Sequence, residues 1–301
     1  MTLIKAFLFA LLVAVNVNVL AECQSQRVKI QVLGSGGPEL TDGRASTSYL
    51  IWLDNKGIGL IDAGSGSSLN YEKTKAKVND IEFIAFTHFH VDHSADFPAY
   101  IKGAYFTQRS QNLHVFGPAG NKLMPSATEF TQRLFGKEGV YPYLNNYISS
   151  QKDSNFKVIA KDLNLVKHKK QNVYMTNAYS LSAIPVHHGP LPALAWRIDL
   201  AGCSIAFSGD MSNQFKTLTV LAKGVDTLVA HNAIPELQQG VGRKLHMPPS
   251  EIAKIAQQAG VKKLILSHRM KRTLGHEQET LGLIKKYYKG SVKFANDMDS
   301  F

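Results

Sequence analysis

Between residues 86 and 93 the chain reads Phe86-Thr87-His88-Phe89-His90-Val91-Asp92-His93. Three imidazoles and a carboxylate stand at relative positions 0, 2, 4 and 5. His88 and His90, two residues apart in extended backbone, point to one side. Asp92 and His93 fall on the turn that follows and aim at a neighbouring point. Imidazole nitrogens and carboxylate oxygens are ligands for divalent ions, and two such groupings side by side suit a two-metal hydrolytic site. A histidine-rich loop that binds nothing is the bland alternative. Four ligand-type residues within six positions at a strand end argue against it.

Two ions need further ligands, and these must come from rigid positions such as strand ends. Three segments qualify. Ala183 to Val186 leads into His187-His188-Gly189-Pro190, Ile205 to Ser208 into Gly209-Asp210, and Leu264 to Ser267 into His268. Each is an apolar run delivering a ligand-type residue at its C-terminal end. Neighbouring side chains of a strand face opposite ways, so only one of His187 and His188 reaches a common centre.

The elements that carry these residues are short, apolar and bounded by Gly, Pro, Asn or Asp, which reads as strands. They span residues 27–33, 47–53, 59–62, 82–87, 113–116, 182–186, 195–200, 204–208, 227–230 and 263–267. Helical periodicity is clearest over Pro249 to Ala259, with Ser250 as the cap, Ile252, Ile255, Ala256 and Ala259 on one face, and Gly260 at the end. Residues 121–134 and 276–288 also read as helices. Strands and helices alternate without a linker, repeat or low-complexity stretch, so one α/β domain with two sheets is expected over residues 22–301. Lys167, Lys169 and Lys170 read as a solvated turn. The insert from Phe135 to Tyr147, with Tyr141, Tyr143 and Tyr147, reads either as a lid over the site or as aromatic packing.

Composition narrows the class. The 301 residues carry 34 Lys and Arg against 23 Asp and Glu, with 11 His and 2 Cys, and are 44% hydrophobic. That excludes a disordered chain, a coiled coil and a disulfide-rich scaffold. The basic excess favours anionic partners. Met1 to Ala21 reads as an export signal: Lys5 gives the positive start, Ala6 to Val15 the apolar run, and Val19-Leu20-Ala21 the small residues at the cleavage positions. The run is too short to span a bilayer, so no membrane span is expected. Removal of residues 1–21 takes one Lys and no acid, so the formal charge of +11 falls by one. An exported chain is periplasmic or secreted, where Cys23 and Cys203 could pair. Cys203 lies in an apolar strand, and a free buried thiol is the expectation for it.

His88-Phe89-His90-Val91-Asp92-His93 resembles the His-x-His-x-Asp-His motif of the metallo-β-lactamase superfamily. Leu60-Ile61-Asp62-Ala63-Gly64 resembles its first motif, and His188, Asp210 and His268 its third, fourth and fifth. The resemblance runs from about Val28 to the C-terminus. It implies an αβ/βα four-layer sandwich of two mixed β-sheets flanked by helices. It implies two divalent ions: His88, His90 and His188 on one, Asp92, His93 and His268 on the other, and Asp210 bridging. Relatives place the third-motif ligand directly before Gly, which favours His188 over His187. Asp62 would support a ligand from behind. The donor set suits zinc, and manganese or iron also fit.

Finer details resemble the ribonuclease Z and arylsulfatase-like branch. They are Leu33-Gly34-Ser35-Gly36-Gly37, Ala195-Trp196-Arg197-Ile198, His246 before a helix, and Arg272 four residues after His268. The chain departs from ribonuclease Z in Met247-Pro248 after His246, in an interval from His188 to Asp210 too short for an RNA-gripping arm, and in the export signal. The reading is therefore an exported dinuclear hydrolase of a small anionic ester, foremost a phosphodiester, acting through a metal-bridging hydroxide. Asp92 would orient the hydroxide while ligating, His246 would serve the leaving oxygen, and Arg272 would attract the anion. The alternative is a lactone, carboxylic-ester or aryl-sulfate hydrolase with the same centre. Nucleic acid as substrate, with tRNA 3′-processing, stands behind both, as do β-lactamase activity and a non-catalytic metal-binding protein.

Overall fold

The computed structural model describes residues 22–150, 154–164, 166 and 169–301. The expected signal, residues 1–21, and Lys167 of the basic turn lie outside them. In the first half, β1 (Val28–Gly34), β2 (Ser48–Leu53) and β3 (Lys56–Ile61) form an antiparallel meander. After α1 (Ser67–Lys73), the strand β4 (Phe83–Ala85) joins β3 in parallel. The single turn α2 (Val91–Ser94) and α3 (Phe97–Tyr105) follow. Then β5 (Leu113–Pro118), α4 (Ala127–Phe135) and β6 (Val158–Leu163) complete a six-stranded sheet in the order β1-β2-β3-β4-β5-β6.

The second half repeats the plan. Strands β7 (Gln171–Met175), β8 (Tyr179–His188), β9 (Leu191–Leu200) and β10 (Cys203–Phe207) are antiparallel. Beyond α5 (Leu218–Leu221) the strand β11 (Thr227–His231) lies parallel to β10. Then α6 (Val241–Leu245), α7 (Pro249–Ala259), β12 (Lys263–Ser267), α8 (Glu277–Tyr287) and β13 (Ser291–Phe294) close a seven-stranded sheet in the order β13-β12-β11-β10-β9-β8-β7.

Three apolar clusters fix the layers. Tyr49, Ile51 and Phe83 of the first sheet meet Leu181, Trp196, Phe207 and Ile265 of the second in a core between the sheets. Leu50, Leu60, Ile84 and Phe86 pack outward on Tyr71, Phe97, Ile101 and Ala127 from α1, α3 and α4. Leu228, Leu264 and Leu266 pack outward on α5, α7 and Ile284 of α8. The result is the expected four-layer αβ/βα sandwich. Strands buried on both faces read as continuous apolar runs, which is why β4, β10, β11 and β12 stand out in the sequence.

The structure differs from the sequence reading at particular points. The helix expected from residue 121 starts at Ala127, because Pro125 precedes a Ser126–Glu129 capping box and Asn121 closes a turn onto Leu123 and Met124. Ser250 does not cap α7. It lies inside the helix after Pro248 and Pro249, and the Glu236 carboxylate accepts its N–H at 2.9 Å and its hydroxyl at 2.5 Å. The 135–147 insert is aromatic packing: Tyr147 lies on Phe156 and Tyr141 on Phe135, at the outer face of the first sheet. Cys203 is not a free thiol, since Cys23 and Cys203 form a disulfide. The short lead-in Gln24 donates from its backbone to Ala201 O at 3.1 Å, and this brings Cys23 to the first residue of β10.

Candidate metal centre

Each candidate residue stands at or just past the C-terminal end of a strand. Asp62 follows β3, His88 to His93 follow β4, His188 ends β8, Asp210 follows β10, His231 ends β11 and His268 follows β12. The turns are sharp. Asp62 and His268 adopt left-handed backbone at φ 60° and 51°, and Gly189 and Gly209 do so at 59° and 58°. Such a conformation costs a non-glycine residue about 1–3 kcal/mol, and it persists where the surroundings fix it. Here it turns the Asp62 and His268 side chains off their strand directions.

Asp210 is the hub. Its Oδ2 lies 3.6 Å from His93 Nε2 and 3.9 Å from His188 Nε2. Its Oδ1 lies 3.4 Å from His268 Nε2, 3.8 Å from His246 Nδ1 and 2.8 Å from His231 Nδ1. Asp92 Oδ2 sits 3.2 Å from His268 Nε2 and 3.5 Å from His93 Nε2. On the other side, the His188 Nε2 and His90 Nδ1 atoms are 3.4 Å apart, and the His88 ring centroid is 4.8 Å from that of His188. Two sets emerge whose donor atoms lie within 4.8 Å of one another: His88, His90, His188 and Asp210, and His93, Asp210, His231 and His268.

Groups behind the imidazoles set their tautomers. Asp62 accepts from Thr87 N–H at 2.7 Å, from the Thr87 hydroxyl at 2.8 Å and from His93 Nδ1 at 2.8 Å. His188 Nδ1 donates to Leu245 O at 3.1 Å. Both rings therefore turn Nε2 toward Asp210. The buried Nε2 atoms of His88 and His93 have no hydrogen-bond partner. An orphaned buried polar atom costs about 1–3 kcal/mol, so a cluster of inward nitrogen and oxygen lone pairs fits divalent cations.

The charges point the same way. Burial works to raise Asp92, but the imidazoles of His93 and His268 overcome it and hold the carboxyl at about 2. Burial likewise opposes ionisation of Asp210, and His268, His246, His231 and His93 hold it well below the usual carboxylate range. Both carboxylates are thus held in the charged form, as donors to a cation must be. Burial lowers His88 and His188, which keeps them neutral.

The residues read from the sequence divide clearly. His88, His90, Asp92, His93, His188, Asp210 and His268 converge. His187 faces away, with Nδ1 2.7 Å from the Ser212 hydroxyl and its ring edge-on to Phe215. His246 is 8% exposed, and its buried Nδ1 lies 3.8 Å from Asp210 Oδ1. Arg272 is half-buried near His246. Its Nε donates to Ala233 O at 2.6 Å and its Nη2 lies 3.1 Å from the Met270 sulfur. His231 is absent from the sequence reading. Its signal is the same as for His268, an apolar strand ending on a ligand-type residue, but it falls outside the five motifs of the resemblance.

Comparison with known proteins agrees with this geometry. A family model for the β-lactamase superfamily domain matches residues 60–269. Ribonuclease Z of Listeria welshimeri is 28% identical over 276 residues, covering 80% of this chain and 88% of its own length. The metallo-β-lactamase fold protein YhfI from Bacillus subtilis superimposes with a TM-score of 0.70 at 19% identity, covering 91% of this chain and 98% of its own. The short form of human tRNase Z gives a TM-score of 0.68 at 17% identity, with coverage of 91% and 98%. Fold, converging ligand-type residues and matched motifs together show that the chain belongs to the β-lactamase superfamily, as a metal-dependent hydrolase.

Proposed function

We propose that the protein is an exported dinuclear metallohydrolase of small anionic esters, with a phosphodiester as the foremost substrate class. The observation that carries this reading is the convergence of His88, His90, His188, Asp92, His93 and His268 on the single carboxylate of Asp210, with buried imidazole nitrogens aimed inward and left without partners. His88, His90, His188 and Asp210 would hold one ion, and Asp92, His93, His268 and Asp210 the other. Zinc suits this donor set, and manganese or iron also fit. When bound, two such ions lower the pKa of water and stabilise negative charge on an ester undergoing displacement.

The chain's own residues supply the remaining functions. Asp92, charged and beside both His93 and His268, accepts a hydrogen bond from the attacking water and so fixes its direction. His246 is pushed down to about 4, chiefly by burial, so its ring is neutral at pH 7. Its Nδ1 faces the Asp210 carboxylate with no hydrogen-bond partner. The N–H of the neutral ring would donate a hydrogen bond to the leaving oxygen as charge develops there. Arg272 adds positive field behind His246 and favours an anionic substrate.

Three further observations support the finer points. The relative named a ribonuclease acts on phosphodiesters, and the basic chain favours anions. Residues 188 to 210 are taken up by the β8–β9 hairpin, paired His188 to Leu191, and by β10, which leaves no room for an RNA-gripping arm. A small ester is therefore preferred over nucleic acid. The Cys23–Cys203 disulfide suits an oxidising compartment and so the export read from residues 1–21.

The test is metal analysis of purified protein joined to a panel of bis(p-nitrophenyl) phosphate, an aryl sulfate, a lactone, a carboxylic ester and a β-lactam. Two bound ions and phosphodiester turnover are expected. Turnover of the lactone, ester or sulfate with the phosphodiester untouched would replace the substrate class. Loaded protein inert across the panel would leave a metal-binding protein.

A further inference from the structure

His231 is used by neither the ligand set nor the hydrolytic step, yet it is 2% exposed and lies against Asp210. Its Nδ1 is 2.8 Å from Asp210 Oδ1, and its Nε2 is 3.2 Å from the Tyr49 hydroxyl. A carboxylate oxygen only accepts, so Nδ1 carries the ring hydrogen and donates it. The neutral ring then offers a lone pair at Nε2, and the Tyr49 O–H donates to it. Two further contacts hold the residue: its ring stacks on His268 at 4.8 Å and 29°, and its backbone N–H donates to the Ser208 hydroxyl at 3.1 Å. Tyr49 comes from β2 in the opposite sheet. It is fully buried, with its ring 5.3 Å from that of Phe207.

The two oxygens of Asp210 serve different imidazoles, Oδ2 toward His93 and His188 and Oδ1 toward His268. Rotation of the carboxylate would exchange them. We propose that Tyr49 and His231 form a positioning relay that locks the Asp210 carboxylate, so that one side chain just past β10 serves both halves of the centre in a fixed orientation. The inference rests on the reading of Asp210 as a shared ligand. It makes His231 a positioning residue and not a fourth ligand of the second set, because both ring nitrogens are already engaged. It also ties the centre to packing between the sheets: the relay runs from one sheet to a residue of the other.

The test uses the full chain, stripped of metal and reloaded with cobalt(II), as wild type, His231→Ala, His231→Asn, Tyr49→Phe and Asp210→Ala. Stoichiometry comes from equilibrium dialysis, affinity from chelator competition and ligand orientation from the visible cobalt absorption. Circular dichroism selects folded variants, and His231→Asn and Tyr49→Phe preserve the inquiry if His231→Ala fails to fold. His231→Ala is expected to bind both equivalents at saturation, with affinity lowered about 10- to 100-fold and a shifted absorption. His231→Asn, whose amide nitrogen can stand where Nδ1 stands, should restore most of the loss. Tyr49→Phe should lose less than His231→Ala, because the bond to Asp210 survives. A role in folding alone would lower the unfolding midpoint and leave the cobalt spectrum unmoved.

The relay is overturned if His231→Ala keeps wild-type affinity and spectrum. It is overturned equally if that variant loses a whole equivalent at saturation, which makes His231 a ligand, or if His231→Asn behaves like His231→Ala. Failure of the ligand reading looks different: wild type takes up no cobalt, or Asp210→Ala binds as tightly as wild type.

Discussion

A single carboxylate carries more of this site than any of its histidines. Removing Asp210 by substitution with Ala should abolish hydrolysis and lower metal content, because both sets lose an oxygen ligand and their five imidazoles are left facing one another. His246→Ala is the contrasting case. It should lower turnover by about 10²-fold while both metals stay bound, as read by kinetics beside metal analysis. Loss of metal from His246→Ala would show the side chain to be a ligand. The metal-free protein should also respond to acid in a defined direction. Burial lowers His231 to about 3 and His246 to about 4, against an ordinary histidine near 6.5. Between those values the unfolded chain binds protons that the folded chain refuses, so stability falls as pH drops below about 6.5. His93 and His268 are raised, since Asp92, Asp62 and Asp210 overcome burial at the one and Asp210 and Asp92 at the other. Their contribution is fully present below the ordinary value and is lost only as pH rises, so it does not oppose the acid trend. Thermal unfolding of chelator-treated protein between pH 6.5 and 4.5 checks this; a midpoint that rises toward acid over that range contradicts it. Most of the site is legible from residue types because metal chemistry permits few ligands and strand ends present them. His231 is not, because its role depends on Tyr49, which lies 182 positions away and meets it only across the sandwich.

The elements show which physical signals survive in sequence. Central strands such as β10, β11 and β12 are buried on both faces and are unmistakable. Strands β6, β7 and β13 carry no such signal. The exposed and half-buried polar positions of β6 and β7 erase the apolar run, and the burial of β13 alternates weakly. All three lie at or next to sheet edges, where pairing and not burial defines the strand. The short helices α1, α2, α5 and α6 are too brief for a 3.6-residue period to register. The glycine turn after β1 carries a testable consequence. A Cβ on Gly37 would lie 2.9 Å from His268 Cε1 and 3.2 Å from Met270 Cγ. His268 is held by its stack on His231 and His93 and by left-handed backbone, so it has little room to give. Gly37→Ala should therefore weaken binding of one ion more than the other and lower turnover with little change in fold. Chelator competition resolves the two affinities. Equal weakening of both ions would mean that the loop acts on the whole mouth and not through His268.

At the level of the molecule, two sheets with the same plan are fastened at two places. The tail after β13 returns to the outer edge of β1, where Ile30 and Phe301 exchange backbone hydrogen bonds at 2.9 Å. Asp297 in that tail accepts from Ser35 N–H at 2.9 Å, from the Ser35 hydroxyl at 2.7 Å and from Ala45 N–H at 2.7 Å, which clasps the loop over His268. The other fastening is covalent. Cysteine spacing alone could not announce it, because partners 180 residues apart meet only when the second sheet is built. A crosslink over so long a loop removes conformational freedom from the unfolded chain, and native disulfides of this kind contribute about 2–4 kcal/mol. Cys23→Ser with Cys203→Ala should lower the unfolding midpoint of the oxidised protein to that of reduced wild type. The disulfide joins residues at the start of β10, the end remote from Asp210, so metal stoichiometry and turnover at low temperature should not change. Calorimetry with and without reductant, beside metal analysis, reads both halves of the prediction. A double variant as stable as oxidised wild type would mean that the bond adds nothing beyond the hydrogen bond from Gln24 to Ala201. Loss of metal would mean that strain at one end of β10 reaches the carboxylate at the other.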